Sequence, residues 1–257
     1  MTILFNNFDT FLWIMTALAA VVFVSLYFTE AGYGIFISPK WGPAISNKLA
    51  WILMESPVFL VMLLCWLQSE RVTETVPLIF LLLFELHYFR RSFIFPLKIR
   101  GNGKMPIAIM LMGVCFNMLN ACMQGGWIFY VSPSGLYSTA WLSRPCFWIG
   151  CLLFFGGMFI NISSDHIIRN LRKEGDTNHY LPQGGLFNQV TSAHYFGEIV
   201  EWTGFAILTW SWAGVVFVLW TAANLVPRAN AIYHRYQEWF PEEMKQKQLK
   251  RIFPFIY

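Results

Sequence analysis

Long apolar segments, separated by short polar stretches, dominate the pattern of this chain. Seven segments each carry about 20 mostly apolar residues, which is the length needed to cross the hydrocarbon core of a bilayer as a helix. They are Thr10–Phe28, Asn47–Leu67, Thr75–Phe95, Pro106–Tyr130, Pro145–Ile162, Ala193–Trp210 and Trp212–Tyr236. Residues 193–236 are too many for a single crossing and are therefore read as two helices. The pattern predicts an all-α integral membrane bundle of seven transmembrane helices.

The basic residues give this bundle an orientation. Of the 18 Lys and Arg residues, only Arg71 and Arg144 fall on the same side of the predicted bundle as the N-terminus. All the others fall on the opposite side, and loops rich in Lys and Arg face the cytoplasm. We therefore predict an N-terminus outside and a cytoplasmic C-terminus. Removing one internal helix from the count would destroy this segregation.

Composition agrees with a membrane protein and excludes several other classes. Of the 257 residues, 56% are hydrophobic and 12% are charged, whereas soluble domains carry about 25% charged residues. The mean hydropathy is +0.49. A net charge of +4, scattered along the chain, does not suit a nucleic-acid-binding protein. The five cysteines show no CxxC spacing, so neither a disulfide framework nor a metal site is expected.

Ionisable residues inside the predicted spans are the first candidates for function, because they are costly in lipid. Glu55 lies in the middle of the second span, two residues before Pro57. A buried carboxyl of this kind is expected to be protonated or shared with a donor, and it has either a structural or an acid role. The third span ends with Glu85 and Tyr88 near one face, and Arg90 suits an interfacial anchor.

Three further polar stripes occur at helical spacing near the predicted cytoplasmic side. They are Asn161, Asp165, Arg169 and Arg172; His194, Glu198, Glu201 and Trp202; and Asn224, Arg228 and Arg235 or Tyr236. Their convergence indicates a polar cavity that opens to the cytosol. Arginines suit phosphate groups, and carboxylates suit ribose hydroxyls, so a nucleotide-type cofactor fits this mixture. The sequence has neither the GxGxxG nor the GxxxxGK[ST] motif, which excludes a Rossmann domain and a P-loop.

Several short motifs, taken in their order and spacing, carry a resemblance to a known family. They are Trp51–Pro57, His87–Arg91, Asn161–Asp165 with Leu171–Lys173, Tyr180–Phe187, Gly197–Trp202, Pro227–Ala229 and Pro254–Tyr257. Together they resemble the steroid 5-alpha-reductase family over most of the chain, most densely over residues 161–257. The chain departs from the animal members of that family at Met54, His179, Tyr180, His194 and Ile232.

This resemblance implies a single membrane reductase domain, residues 1–257, that uses NADPH to reduce the Δ4 double bond of a 3-oxo-Δ4 steroid. Residues 1–105 would mainly serve the substrate and residues 155–257 mainly NADPH. Glu55 and Tyr88 would hold the 3-keto oxygen as catalytic residues, and Trp51 would line the substrate pocket. The residues expected around NADPH are Arg91, Asn161, Asp165, Arg172, His194, Glu198, Arg228 and Tyr236.

The same resemblance implies a steroid or other lipid substrate that arrives from the bilayer and NADPH that arrives from the cytosol. We expect a monomer in either a bacterial inner membrane or the endoplasmic reticulum membrane, without a nucleic-acid partner. Three alternatives remain: a reductase of a sterol, polyprenol or enoyl thioester, an isoprenylcysteine-type methyltransferase that binds S-adenosylmethionine, and a transporter or receptor. Glu55 and Tyr88 have no evident role in the methyltransferase, and no internal repeat favours a transporter.

Overall fold

The computed structural model describes residues 5–30, 32–171 and 178–257, and these residues are mostly helical. Their α-helices are α1 Phe8–Phe28, α2 Asn47–Leu67, α3 Thr75–Phe89, α4 Phe95–Lys98, α5 Ile107–Gly126, α6 Pro145–Asn170, α7 Ala193–Thr209, α8 Trp212–Trp239 and α9 Pro241–Lys247. Two short strands, β1 Ala44–Ser46 and β2 Lys104–Pro106, pair antiparallel with Ile45 opposite Met105. This pair joins the chain ahead of α2 to the chain ahead of α5.

A helix occupies each of the seven predicted spans, but the lengths differ. Five of the described helices are long and apolar enough to cross a membrane: α1, α2, α5 with its continuation to Val131, α6 and α8. Helix α3 has 15 residues and α7 has 17, which is shorter than the usual crossing length. The helical fold of a membrane protein is therefore confirmed, whereas seven crossings and their orientation stay predictions.

Two of the helical segments contain a π turn. Arg90–Ile94 form a π turn that links α3 directly to α4, and Trp127–Val131 form another one after α5. A π turn inserts an extra residue into the helical repeat and rotates the side chains that follow it, and such turns are frequent at functional sites. The first of these turns carries Arg90 and Arg91.

Helices α6 and α7 pack with their backbones in direct contact. The glycines at this contact are Gly150 and Gly157 on α6, and Gly197 and Gly204 on α7. A Cβ atom on Gly157 would lie 2.2 Å from the backbone nitrogen of Glu201, and one on Gly204 would lie 2.3 Å from that of Phe154. Only glycine permits this approach, which is typical of helices packed in membranes. The contact brings the C-terminal half of α6 against the first turns of α7.

A tight corner separates α7 from α8 and confirms that residues 193–236 form two helices. Trp210 adopts a left-handed conformation with φ of 48°. The Ser211 hydroxyl then caps α8 by accepting a hydrogen bond of 3.0 Å from the backbone N–H of Gly214. The segment before α6 packs against this corner. Its Tyr137 hydroxyl donates a 2.7 Å hydrogen bond to the Thr209 carbonyl.

The interior holds a continuous apolar cluster in which the largest fully buried side chains include Trp141, Trp202 and Phe84. Many large apolar side chains point outward instead. Trp13 and Phe28 on α1 are 74% and 85% exposed. Exposed apolar surface on this scale marks contact with lipid rather than water.

Candidate active site

Arg91, from the first π turn, occupies the centre of the polar interior. Its guanidinium carbon lies 4.6 Å from the ring centroids of both Trp51 and Phe95, which is within cation–π distance. Three carboxyl groups lie within electrostatic range of Arg91, those of Glu55 on α2, Asp165 on α6 and Glu198 on α7. The structure therefore brings residues from three distant parts of the sequence, on α2, α6 and α7, around one cation.

Glu55 and Tyr88, the predicted catalytic pair, are both buried and lie within electrostatic range of each other. The Tyr88 ring lies among aromatic side chains, with centroid distances of 4.7 Å to Phe84 and 5.7 Å to Trp202. Rigid packing of this kind fixes the direction of the hydroxyl group. The polar ends of the pair therefore lie at the border between the aromatic core and the Arg91 cluster.

Helix α5 supplies partners to both members of the pair, and the sequence analysis missed them. The side-chain amide of Asn117 donates to Oε2 of Glu55 over 3.3 Å, and that of Asn120 donates to the Tyr88 hydroxyl over 3.0 Å. Gln124, one turn further, donates to the Ala213 carbonyl over 2.9 Å. Asn117, Asn120 and Gln124 follow one another at helical spacing. This spacing on an apolar helix could have revealed them, but the amides carry no charge.

The expectation that Arg90 is an interfacial anchor is wrong. Arg90 Nη2 donates to Asn161 Oδ1 over 2.6 Å, and Nη1 lies 3.7 Å from Asp165 Oδ2. The Asn161 amide in turn donates to the His194 carbonyl over 2.9 Å. The π turn rotates Arg90 inward, so that both Arg90 and Arg91 face the polar interior. Three predicted cofactor residues, Asn161, Asp165 and His194, are thereby joined through Arg90.

Arg228 lies on α8 beside the connection between α1 and α2. Its Nε donates to the Tyr195 hydroxyl over 2.8 Å, and its Nη2 donates to the Tyr33 carbonyl over 3.1 Å. The guanidinium carbon also lies 3.7 Å from the Tyr33 ring centroid. Tyr33 is followed by Gly34 in the left-handed region, with φ of 64°, where glycine is favoured. Arg228 therefore holds this connection close to Trp51, whose ring centroid is 6.5 Å from that of Tyr33.

Two predicted cofactor residues, Tyr236 and Arg172, remain to be placed. Tyr236 packs in a separate apolar cluster with Leu181, Met244 and Phe240, next to α9. Arg172 lies outside the described residues. The structure thus brings together Glu55, Tyr88, Trp51, Arg91, Asn161, Asp165, His194, Glu198 and Arg228, and it places Tyr236 further along α8.

Known proteins resemble this chain over nearly its whole length. A family model described as 3-oxo-5-alpha-steroid 4-dehydrogenase matches residues 103–257. Steroid 5-alpha-reductase DET2 of Gossypium hirsutum is 37% identical over 248 residues, 93% of each chain. The 3-oxo-5-alpha-steroid 4-dehydrogenase 1 of Mus musculus is 37% identical over 250 residues, 96% of each chain. The chain belongs to the steroid 5-alpha-reductase family. It is therefore an oxidoreductase that acts on CH–CH bonds, as the sequence motifs implied.

A nicotinamide cofactor is consistent with this steroid 5-alpha-reductase family, and the polar residues around Arg90 fit such a group. Several buried polar atoms have no hydrogen-bond partner among the described residues: Arg90 Nε, Ser92 Oγ, Asp165 Oδ2, Ser192 Oγ and His194 Nδ1. Buried polar groups are rarely left unpaired. These donors and acceptors come from the π turn and from the facing ends of α6 and α7, so they suit a ligand rich in hydroxyl, phosphate and amide groups.

Proposed function

We propose that this protein reduces the C4–C5 double bond of a 3-oxo-Δ4 steroid to the 5α product with NADPH. The observation that carries the proposal is the buried pair Glu55 and Tyr88, which lies beside the Arg91 cluster and whose polar ends each meet an asparagine of α5. The names of the relatives support the substrate class, since they are steroid 5-alpha-reductases and 3-oxo-5-alpha-steroid 4-dehydrogenases.

The pair acts on the carbonyl oxygen of the steroid. When NADPH is bound, its dihydronicotinamide supplies a hydride to C5. The electron density that the reduction places on the carbonyl oxygen would be stabilised by hydrogen bonds from a neutral Glu55 and from Tyr88, and a proton taken from solvent at C4 would complete the product. Donors aimed at a developing oxyanion are worth roughly 100- to 1000-fold in rate each. Burial of the pair strengthens these bonds because water is excluded.

NADPH is held by the residues around Arg90 and Arg91. In this proposal Arg91 and Arg228, with Arg172, bind phosphate groups, because guanidinium groups match phosphate in geometry and charge. Asn161, Asp165, His194 and Glu198 bind the ribose and carboxamide groups, and Tyr236 borders the site. Asp165 Oδ2 and His194 Nδ1, which have no hydrogen-bond partner among the described residues, support this arrangement. Trp51 forms the wall between the cofactor side and the steroid.

The same proposal includes the membrane arrangement. Seven helices cross the bilayer, with the N-terminus outside and the C-terminus in the cytoplasm, in either a bacterial inner membrane or the endoplasmic reticulum membrane. The steroid enters from the bilayer and NADPH from the cytosol, and a single chain carries the reaction. Residues 1–105 form most of the steroid side and residues 155–257 most of the NADPH side. The concentration of Lys and Arg on one side supports this orientation.

The reaction can be tested directly. Purified protein in detergent is incubated with NADPH and testosterone, and the steroid is followed by mass spectrometry. A product heavier by two hydrogen atoms, with matching oxidation of NADPH, is expected, and heat-denatured protein serves as the inactive control. Unchanged steroid together with tight retention of S-adenosylmethionine would favour the methyltransferase instead.

A further inference from the structure

Helix α5 makes direct contact with both groups that are proposed to hold the carbonyl oxygen. Asn117 is 5% exposed and Asn120 is fully buried. The Asn117 amide nitrogen lies 2.8 Å from the Met54 carbonyl oxygen and 3.3 Å from Oε2 of Glu55. The Asn120 amide nitrogen lies 3.0 Å from the Tyr88 hydroxyl oxygen. Two asparagines three residues apart thus reach two residues from different helices.

These bonds have a direction. A backbone carbonyl can only accept, so the contact with Met54 fixes the Asn117 amide with its N–H groups toward Glu55. An N–H at Oε2 makes that atom the acceptor oxygen of a neutral Glu55, which leaves Oε1 to carry the proton. The Tyr88 oxygen likewise accepts from Asn120, and the Tyr88 hydroxyl donates to no other group among the described residues.

Folding alone does not explain Asn120. Its carbonyl oxygen Oδ1 is buried and has no hydrogen-bond partner in the described parts of the chain. A buried amide that is only half satisfied costs free energy relative to an apolar side chain of the same size. Leucine at this position would pack without that cost. The retained amide therefore points to a role in the site.

We infer that Asn120 and Asn117 are positioning residues that fix Tyr88 and Glu55 as hydrogen-bond donors toward the substrate carbonyl. The inference rests on the function proposed above. A carbonyl can only accept, whereas a hydroxyl both donates and accepts. Without Asn120, the Tyr88 hydroxyl is free to turn toward the carboxyl groups of Glu55 and Glu198, which lie within electrostatic range. The asparagines occupy the accepting side of each group and leave the proton for the steroid.

Changing Asn120 to Asp and to Ala separates this role from a packing role. Asn120→Ala should lower kcat about tenfold, because one oriented hydrogen bond is lost, with the Michaelis constant for NADPH changed less than about twofold. Asn120→Asp should lower kcat further, because a carboxylate only accepts hydrogen bonds and would draw the Tyr88 hydroxyl away from the substrate. Both effects should vanish in a Tyr88→Phe background, where no hydroxyl remains to be positioned. Asn117→Ala should behave in the same way relative to Glu55→Leu, in which no carboxyl group remains to be positioned.

Gln124→Ala is the matched control on the same face of α5. It removes a buried amide whose one side-chain hydrogen bond within the described ranges goes to the Ala213 carbonyl, so it should lower the melting temperature but leave kcat per folded protein unchanged. If Asn120→Asp does not accumulate as folded protein, Asn120→Leu replaces it, since leucine keeps the volume and removes the donor. The Leu variant should lower kcat in the wild-type background and have no effect in Tyr88→Phe.

Three results would overturn the inference. Wild-type kcat in Asn120→Asp would mean that Tyr88 donates to Asn120, and an Asn120→Ala loss that persists in Tyr88→Phe would mean a packing role. Equal losses of kcat in Gln124→Ala and Asn120→Ala would show that removing any buried amide of α5 has this effect, so the loss would not be specific to the contact with Tyr88. Absence of steroid reduction by the wild-type protein would refute the proposed function itself, and the inference with it, before any asparagine variant is measured.

Discussion

The Nδ1 atom of His87 lies 2.7 Å from Oε1 of Glu201, and both side chains are buried. This contact joins α3 to α7 across the interior. The His87 ring also lies 4.5 Å from Trp202, and Tyr88 follows His87 directly in the chain. The position of the Tyr88 hydroxyl relative to α7 therefore depends on this buried pair.

Removing Glu201 should destabilise the fold. Glu201→Ala leaves the His87 ring nitrogen without its partner, which should cost about 3 kcal/mol and lower the melting temperature in detergent. Glu238→Ala is the control, because Glu238 pairs with Arg235 at 3.3 Å on the exposed surface and should cost less than about 0.5 kcal/mol. Equal melting temperatures for the two variants would show that the buried pair contributes no more than the exposed one.

Changing the catalytic pair should reduce turnover without loss of the fold. Glu55→Gln loses the acidic proton and should lower kcat by roughly 100-fold or more, while NADPH binding is retained. Tyr88→Phe should lose less, because the more acidic donor, Glu55, remains. If both groups act on one oxygen, the double variant should lose less than the product of the two single losses. Near-normal turnover in Glu55→Gln would make this carboxyl structural.

Replacing Arg228 should weaken NADPH binding more than steroid binding. Arg228→Ala removes the proposed phosphate contact together with the bonds to Tyr195 and Tyr33, so the Michaelis constant for NADPH should rise at least about tenfold. Arg235→Ala, at an exposed ion pair on the same helix, is the control and should change this constant little. A rise confined to the Michaelis constant of the steroid would contradict the assignment.

Substitution by alanine should destabilise the protein at Gly157 of α6 but not at the adjacent Gly156. A Cβ atom at Gly157 would lie 2.2 Å from the Glu201 backbone nitrogen, whereas nothing lies within 4 Å of one at Gly156. Gly157→Ala should destabilise by about 2–3 kcal/mol through overpacking, and Gly156→Ala should be neutral or stabilise by up to about 1 kcal/mol. Thermal unfolding of both variants measures the difference, and equal stability would mean that α6 and α7 are not in backbone contact.

Accessibility labelling tests the orientation. Single cysteines are introduced at Asn6 and Lys247 in a cysteine-free variant of the chain and exposed to a membrane-impermeant reagent in intact cells or sealed vesicles. Because Lys and Arg concentrate on one side, the two positions should be labelled from opposite faces, with Lys247 on the cytosolic one. Labelling of both from the same face would exclude an odd number of crossings.

The helices were predictable, because apolar length and the position of polar breaks determine which segments can cross a bilayer. Their irregularities were not. The turn at Arg90–Ile94 depends on one extra residue in the helical repeat, which side-chain patterns do not reveal. The side-chain pattern therefore predicts Arg90 at the membrane interface, whereas its guanidinium donates a hydrogen bond to Asn161. Helix ends also differ from the prediction. Helix α6 ends at Asn170, whereas the apolar pattern predicts an end at Ile162.

The charged part of the site was easier to anticipate than the neutral part. Glu55, Asp165 and Glu198 attract notice because charge is costly in lipid. Asn117 and Asn120 are neutral and cost less, so the sequence pattern does not single them out, although their spacing places them on one face. The glycine contact between α6 and α7 could not be predicted for a different reason. It depends on which helices are neighbours, and the sequence of one segment does not contain that information.

The glycine contact between α6 and α7 also limits how the protein can move and diverge. Gly150 and Gly157 are seven residues apart, as are Gly197 and Gly204, so any sliding of one helix along the other drives a larger side chain into a backbone. The spacing between Asn161 and His194 is consequently locked before any ligand binds. We expect motion during the catalytic cycle, and sequence divergence toward other lipid substrates, to be concentrated in α1, α2 and α5.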